Sequence, residues 1–312
     1  MEKVNAMGKN VLLICLVVIA AGALAALAFG HDANASTPRS AVVVSFNPIY
    51  YLVRPVVGSG ADILQLIGPG VEPHDYEPTP SDAQTLSQGS TFFYASPTLE
   101  SWATQLVQSA NRNMTLVPLI DAINRSALGP NASTLIATDP HFWLDPALMP
   151  GVVRKIETTM AAADPANAST YAYNANAFIT QLSQLDDAYR TGLGSCKSRT
   201  LLDSHAFLGY LAVSYNLTEI SIGGQSPDAE VSPQHLISVV SEATKDHARA
   251  VFQESADPTA AVDQNVAAEI NGTIYKIYTL EILSQQQIAG NASYVTLMYD
   301  NLRTLKEGLN CT

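Results

Sequence analysis

Eight short apolar runs, rich in β-branched and aromatic residues, fall into two series of four on either side of a long proline-free stretch. That arrangement restricts the possible folds more than any other feature of the chain. The first series is AVVVSF from residue 41, DILQLIG from 62, TFFYAS from 91 and TLVPLI from 115; the second is RTLLDS from 199, EISIGG from 219, ARAVFQ from 248 and TIYKIYTL from 273. Within each series the runs alternate with helix-like segments such as Ser101 to Ala110, SPQHLISVVSEATKDH and TAAVDQNVAAEI. Strands alternating with helices predict parallel sheets covered by helices, hence an α/β chain of two Rossmann-like lobes.

The stretch between the series, residues 166–192, keeps Tyr173, Phe178, Leu182, Leu185 and Tyr189 near a 3.6 period after the start signal Asp164-Pro165. One long helix is expected to join the lobes. A single helix is a stiffer connector than two or three crossing strands, so small domain motions are expected rather than a wide clamshell. Residues 291–310 read as an amphipathic helix that buries Tyr294, Leu297, Met298, Leu302, Leu305 and Leu309. With 312 residues, 47% of them apolar, the chain can give each lobe a core of its own. The expected organisation is a signal or membrane anchor (1–30), a polar tether (31–40), an N-terminal lobe (41–165), the linker helix (166–192) and a C-terminal lobe (193–312).

Residues 11–30, VLLICLVVIAAGALAALAFG, are uncharged, follow Lys3 and Lys9, and are about as long as a bilayer requires. Their length favours a retained anchor, while Ala33-Asn34-Ala35 offers a cleavage site; either way the N-terminus is a targeting element and the body faces outward. Cys15 follows Ile14, where lipid attachment at an exported cysteine wants a small residue, so a lipoprotein is disfavoured. Outside this segment only Cys196 and Cys311 remain, and in an exported chain they suggest a disulfide pinning the last helix to the body, with two free thiols as the alternative. Asn-X-Ser/Thr triplets at Asn34, Asn113, Asn124, Asn131, Asn167, Asn216, Asn271 and Asn291 are glycan acceptors if the host has the machinery, or else mark an Asn- and Ser-rich surface. The formal charge of −12 and the lack of a basic cluster interleaved with aromatics exclude nucleic acid as a partner.

Three of the six histidines stand where an apolar run gives way to a loop or helix, the place where open α/β sheets bind ligands. His74 lies in Gly70-Val71-Glu72-Pro73-His74-Asp75-Tyr76-Glu77-Pro78-Thr79-Pro80 and His141 in Asp139-Pro140-His141-Phe142-Trp143-Leu144-Asp145-Pro146, both locked by prolines. His205 follows LLDS and is expected to open the helix HAFLGYLAVSYN. Ligands held in place before binding lose little entropy on coordination, and three imidazoles with one carboxylate suit Zn²⁺, with Mn²⁺ tolerated. Around them, Glu72 reads as a solvated loop carboxylate or an outer ligand, and Asp145 and Asp203 as either imidazole acceptors or caps. Glu254 follows AVFQ towards the same cleft. His31, His235 and His247 stand apart from the site.

The segments GVEPHDYEPTPSDAQTLSQGSTFFYASPTLESW, DPHFWLDP, LLDSHAFLGYLA and YVTLMYDNLRTLKEGL, in that order and spacing, resemble the zinc and manganese solute-binding proteins of ABC importers over roughly residues 41–310. The resemblance implies metal ligands at His74, His141 and His205. It implies a fourth acidic ligand after the last strand, where the family usually has Asp-Pro and this chain has Thr279-Leu280-Glu281-Ile282, so Glu281 is the candidate and Glu254 its rival. In that family a His at the third position accompanies zinc, which favours zinc over manganese here; the His-rich loop of some zinc members is missing. The implied partners are an ABC permease and its ATPase, with the chain itself a monomer. No Gly-x-x-x-x-Gly-Lys-Ser/Thr loop is present, so ATP hydrolysis belongs to a partner. A surface adhesin or metal store of the same fold is the alternative; a zinc hydrolase is disfavoured because no His-Glu-x-x-His helix or comparable base is present, and no enzyme activity is expected.

Overall fold

The first four apolar runs form β1 (Ser40–Val44), β2 (Ala61–Gln65), β3 (Thr91–Tyr94) and β4 (Thr115–Pro118), a parallel sheet in the order β2-β1-β3-β4. This is seen in a computed structural model, which describes residues 40–227, 229–255, 260–283 and 292–312. The second four form β5 (Thr200–Asp203), β6 (Thr218–Ser221), β7 (Ala250–Glu254) and β8 (Thr273–Ile277) in the equivalent order β6-β5-β7-β8. Burial separates central from edge strands. Every residue of β3, β5 and β7 is buried, as helices on both faces of a parallel sheet require, whereas β4, β6 and β8 each begin with an exposed residue.

The sheets are covered by α1 (Asn47–Val57), α2 (Pro80–Leu86), α3 (Ala103–Ala110), α4 (Ala132–Thr138) and α5 (Met149–Ala163) on the N-terminal side. After the connecting helix α6 (Ala168–Leu193) come α7 (Gly209–Ser214), α8 (Pro233–Lys245), α9 (Ala260–Glu269) and α10 (Tyr294–Gly308). Helix α6 has 26 residues, about 39 Å at the usual rise. It buries Tyr171, Ala175, Phe178, Leu182, Leu185, Tyr189 and Leu193 against α5, α1 and α10. Tyr173, expected on that stripe, is 76% exposed instead. Five residues separate it from Phe178, about 140° around the helix, so Tyr171 takes its place. Helix α10 buries the stripe read from its sequence, and Tyr189 of α6 donates to the Met298 carbonyl at 2.7 Å.

Cys196 and Cys311 form a disulfide that joins the chain just beyond α6 to the residues after α10, a sequence separation of 115. Closing a loop of that length removes denatured-state entropy worth about 4–5 kcal/mol in the chain-entropy account. Reducing the bond, or replacing both cysteines with serine, should therefore lower the unfolding free energy by that amount, read as a lower denaturant midpoint at unchanged slope; equal midpoints with and without reductant would contradict it. Among the described residues no helix is long and apolar enough to cross a membrane. The segment 11–30, Cys15, His31 and Asn34 lie outside the described residues.

Candidate metal centre

His74 rides on the loop between β2 and α2. Tyr76 donates its hydroxyl to Asp82 Oδ2 at 2.8 Å, and Thr79 and Asp82 form a reciprocal capping box at the start of α2, so the loop is tied down two and five residues after the imidazole. The His74 backbone N–H donates to Glu72 Oε1 at 3.0 Å, which gives Glu72 a role in shaping this loop. His141 is wholly buried and follows Asp139-Pro140. Asp139 Oδ1 accepts from both the backbone N–H and Nδ1 of His141, each at 2.8 Å. With Nδ1 occupied, Nε2 is the nitrogen presented to the centre.

His205 sits just past the end of β5 but does not open a helix: α7 starts four residues later. The backbone N–H groups that a helix would turn inward are taken by tertiary acceptors, Ala206 by the Gly224 carbonyl at 2.8 Å and Leu208 by Glu219 Oε1 at 2.7 Å. Glu281 follows β8 after Leu280, which adopts φ 68°, a conformation rare for a branched aliphatic residue. That turn aims the carboxylate back across the sheet end.

The four side chains converge, with one ligand atom from each of His74, His141, His205 and Glu281 lying within 4.8 Å of the others. His74 Nε2 and His141 Nε2 are 3.2 Å apart, and Glu281 Oε1 lies 3.4 Å from His141 Nε2 and 3.5 Å from His74 Nε2. A tetrahedral zinc with ligands at about 2.0–2.1 Å sets donor-to-donor edges of about 3.3 Å, so these three separations match a coordination sphere. Neither Glu281 oxygen and neither ring nitrogen of His205 has a hydrogen-bond partner, although all four atoms are buried. Unpartnered buried polar atoms are costly unless something else, such as a cation, satisfies them.

Electrostatics agree with the geometry. Burial alone would lower the His141 pKa, but the bond to Asp139 and the Glu281 carboxylate overrule it and bring it up to about 10. His205 moves the other way, to about 3, because burial and the neighbouring His141 disfavour its charged form. Glu281 is held below the usual carboxylate range: burial would raise it, but His74 and His141 outweigh that. Glu254, at the end of β7, is buried outside the cluster, bonded by the Thr279 hydroxyl and pushed up to about 8 by burial and by Glu281. Asp145 accepts from Ala147 N–H at 3.0 Å and from the Ser214 hydroxyl at 2.5 Å, so it caps and bridges rather than orienting an imidazole. Asp203 is buried beside Glu219, and burial together with that neighbouring carboxylate raises it well above the carboxylate range. His235 and His247 are exposed, away from the cluster.

Sequence reasoning missed the residues that hold the ligand loops from the opposite lobe. Asn47 of α1 donates to the Glu281 carbonyl at 2.8 Å, and Trp143 Nε1 donates to the Thr279 carbonyl at 2.9 Å. In the other direction Tyr210 of α7 donates to the Asp139 carbonyl at 2.9 Å. Gly209 lets Asp139 approach, since a Cβ there would fall 2.7 Å from its Oδ2. Asp139 had a signal in the sequence, a carboxylate fixed by proline two residues before a histidine; the cross-lobe bonds had none. Asn47→Ala should weaken zinc binding by about 10–100-fold, the usual effect of removing a group behind a ligand. Chelator-competition titration checks this, and an unchanged constant would show that the Glu281 loop holds itself.

The family described as zinc-uptake complex component A, periplasmic, matches residues 42–308. The high-affinity zinc uptake system protein ZnuA of Bacillus subtilis is 30% identical, over 94% of this chain and 97% of that protein. The zinc-binding lipoprotein AdcA of Streptococcus pneumoniae is also 30% identical, over 85% of this chain, which spans 55% of that longer relative. The Zn(II)-bound ZnuA-like domain of AdcA superposes with a TM-score of 0.74 at 28% identity, covering 87% of this chain and 99% of the domain. The laminin-binding protein Lmb of Streptococcus agalactiae, described as bifunctional with adhesin and metal transporting activity, has a TM-score of 0.75 at 25% identity over 86% of this chain and 98% of its own. With two four-stranded parallel lobes joined by one long helix and a match along nearly the whole described chain, the protein belongs to the family of periplasmic zinc-uptake component A proteins, solute-binding components rather than enzymes.

Proposed function

We propose that this chain captures one zinc ion outside the cytoplasm through His74, His141, His205 and Glu281 and passes it to an ABC permease driven by a separate ATPase. The observation that carries this reading is the set of 3.2, 3.4 and 3.5 Å separations among the donors of His74, His141 and Glu281, which already describe a zinc-sized sphere. His74 and His141 belong to the N-terminal lobe (41–165), His205 and Glu281 to the C-terminal lobe (193–312), with 166–192 as the connector. Zinc is thus held by both lobes, and parting them removes two ligands at once. That is a means of release a partner can operate.

Zinc is preferred because three imidazole nitrogens and one carboxylate suit it, and manganese is a weaker cargo of the same site. The chain acts as a monomer held near the membrane by residues 1–30. A second role, adhesion, is favoured by the likeness to Lmb.

The test is elemental analysis of metal-stripped protein after dialysis against equal zinc and manganese. One zinc per chain is expected; no stoichiometric metal would overturn the reading in favour of adhesion alone.

A further inference from the structure

The Asn-X-Ser/Thr triplets divide into two groups once their places in the fold are known. Four end in threonine: Asn310-Cys311-Thr312, whose middle residue is held in the disulfide, and three others, Asn113-Met114-Thr115, Asn216-Leu217-Thr218 and Asn271-Gly272-Thr273. In each of these other three, the threonine is the first residue of a strand (β4, β6 or β8), and the asparagine lies in the turn that brings the chain there from α3, α7 or α9. All three asparagines and all three threonines are exposed, so both side chains that define the triplet are accessible together. Strands β4, β6 and β8 are moreover edge strands, three of the four edges of the two sheets.

Two of the five triplets ending in serine behave differently. Asn124 accepts from the Ser126 backbone N–H at 3.1 Å, and Asn167 donates to Asp164 Oδ2 at 2.8 Å at the start of α6. These two serve local chain geometry. Asn34 and Asn291 lie outside the described residues.

Asn216 and Asn271 have φ of 53° and 50°, where asparagine is better tolerated than most residues, and threonine favours strands. Those preferences account for two of the three asparagines. They do not account for Asn113, which is not among the positive-φ residues yet has the same spacing, exposure and edge-strand position.

The strands are parallel, and His205 and Glu281 follow the C-terminal ends of β5 and β8, as His74 follows that of β2. The three triplets that enter β4, β6 and β8 are therefore at the N-terminal ends of the sheets, opposite the metal centre. We propose that Asn113, Asn216 and Asn271 carry N-linked glycans that shield three sheet edges while leaving the metal cleft free. In the transfer, the carboxamide nitrogen of each asparagine bonds to the anomeric carbon of a polyprenyl-linked oligosaccharide donor, the lipid phosphate or pyrophosphate departs, and the amide loses one proton. Exposed edges are templates for pairing with another chain, and a bulky hydrophilic group at the start of the strand blocks that approach.

This inference rests on the outward placement proposed above, not on the identity of the cargo. The test is glycopeptide mass spectrometry of the protein purified from the cells that produce it, beside Thr115→Val, Thr218→Val and Thr273→Val, which keep a β-branched side chain but destroy each triplet. Saccharide mass is expected on the three peptides, each lost in its own variant, with zinc bound per chain unchanged. Saccharide on no more than one of the three, or only on the Asn124 and Asn167 peptides, overturns the proposal. Zinc analysis of the same samples separates the two readings: a bare protein that binds zinc overturns only the glycan assignment, and a glycosylated protein without zinc overturns only the capture.

Discussion

A His74→Ala, His205→Ala double variant should lose tight zinc binding and keep its fold. The double change deletes one donor from each lobe and leaves a two-ligand site that cannot complete a tetrahedron. Groups behind a ligand are usually worth 10–100-fold in affinity, so loss of two direct donors should weaken binding by about 10³-fold or more. The fold should survive because His205 makes no hydrogen bond with either ring nitrogen, and the loop around His74 is held by Tyr76, Thr79 and Asp82 rather than by the imidazole. Competition against a chelator reads the affinity, and circular dichroism with a thermal melt reads the fold. An unchanged constant in a folded variant would remove both residues from the site.

Zinc binding should strengthen about tenfold per pH unit between pH 7 and 9, with about one proton released per ion bound. The sign follows from His141, whose pKa lies near 10 in the metal-free protein because Asp139 and Glu281 prevail over burial. Below that value the imidazole carries a proton that must leave before Nε2 can coordinate, so acid competes with zinc. His205, lowered to about 3, and Glu281, held low, are already in their binding forms across this range and add nothing to the slope. Asp139→Asn removes the carboxylate that holds the proton on His141 and should flatten the profile. Titration calorimetry in buffers of different ionisation enthalpy counts the protons; a pH-independent affinity and no proton release would contradict coordination by His141.

The parallel sheets were legible because their strands are nearly continuous apolar runs: TFFY, TLLD and AVFQE are buried at every position, and such runs stand out against their flanks. The helix joining the lobes was legible from its lack of proline and its period. Its phase was misread by one residue pair, since Tyr171 and Tyr173 are both aromatic and only packing chose between them. His74 and His141 could be singled out because proline and glycine around them announce a fixed backbone. The shape of the chain at His205 could not be read, because FLGYLA looks helical and only the competing acceptors at Gly224 and Glu219 delay the helix.

The sequence by itself determined the two-lobed α/β plan, the long connector and three candidate histidines, since periodicity, proline placement and apolar runs act over short distances along the chain. Of these, His74 and His205 follow strands, whereas His141, expected at a strand end, follows α4. Tertiary structure alone decided that the four donors meet, that Glu281 and not Glu254 joins the histidines, and that Asn47, Trp143 and Tyr210 tie each ligand loop to the opposite lobe. Those contacts join residues 71 to 234 positions apart. Their energy depends on where the backbone brings distant atoms, and no local pattern along the chain encodes that.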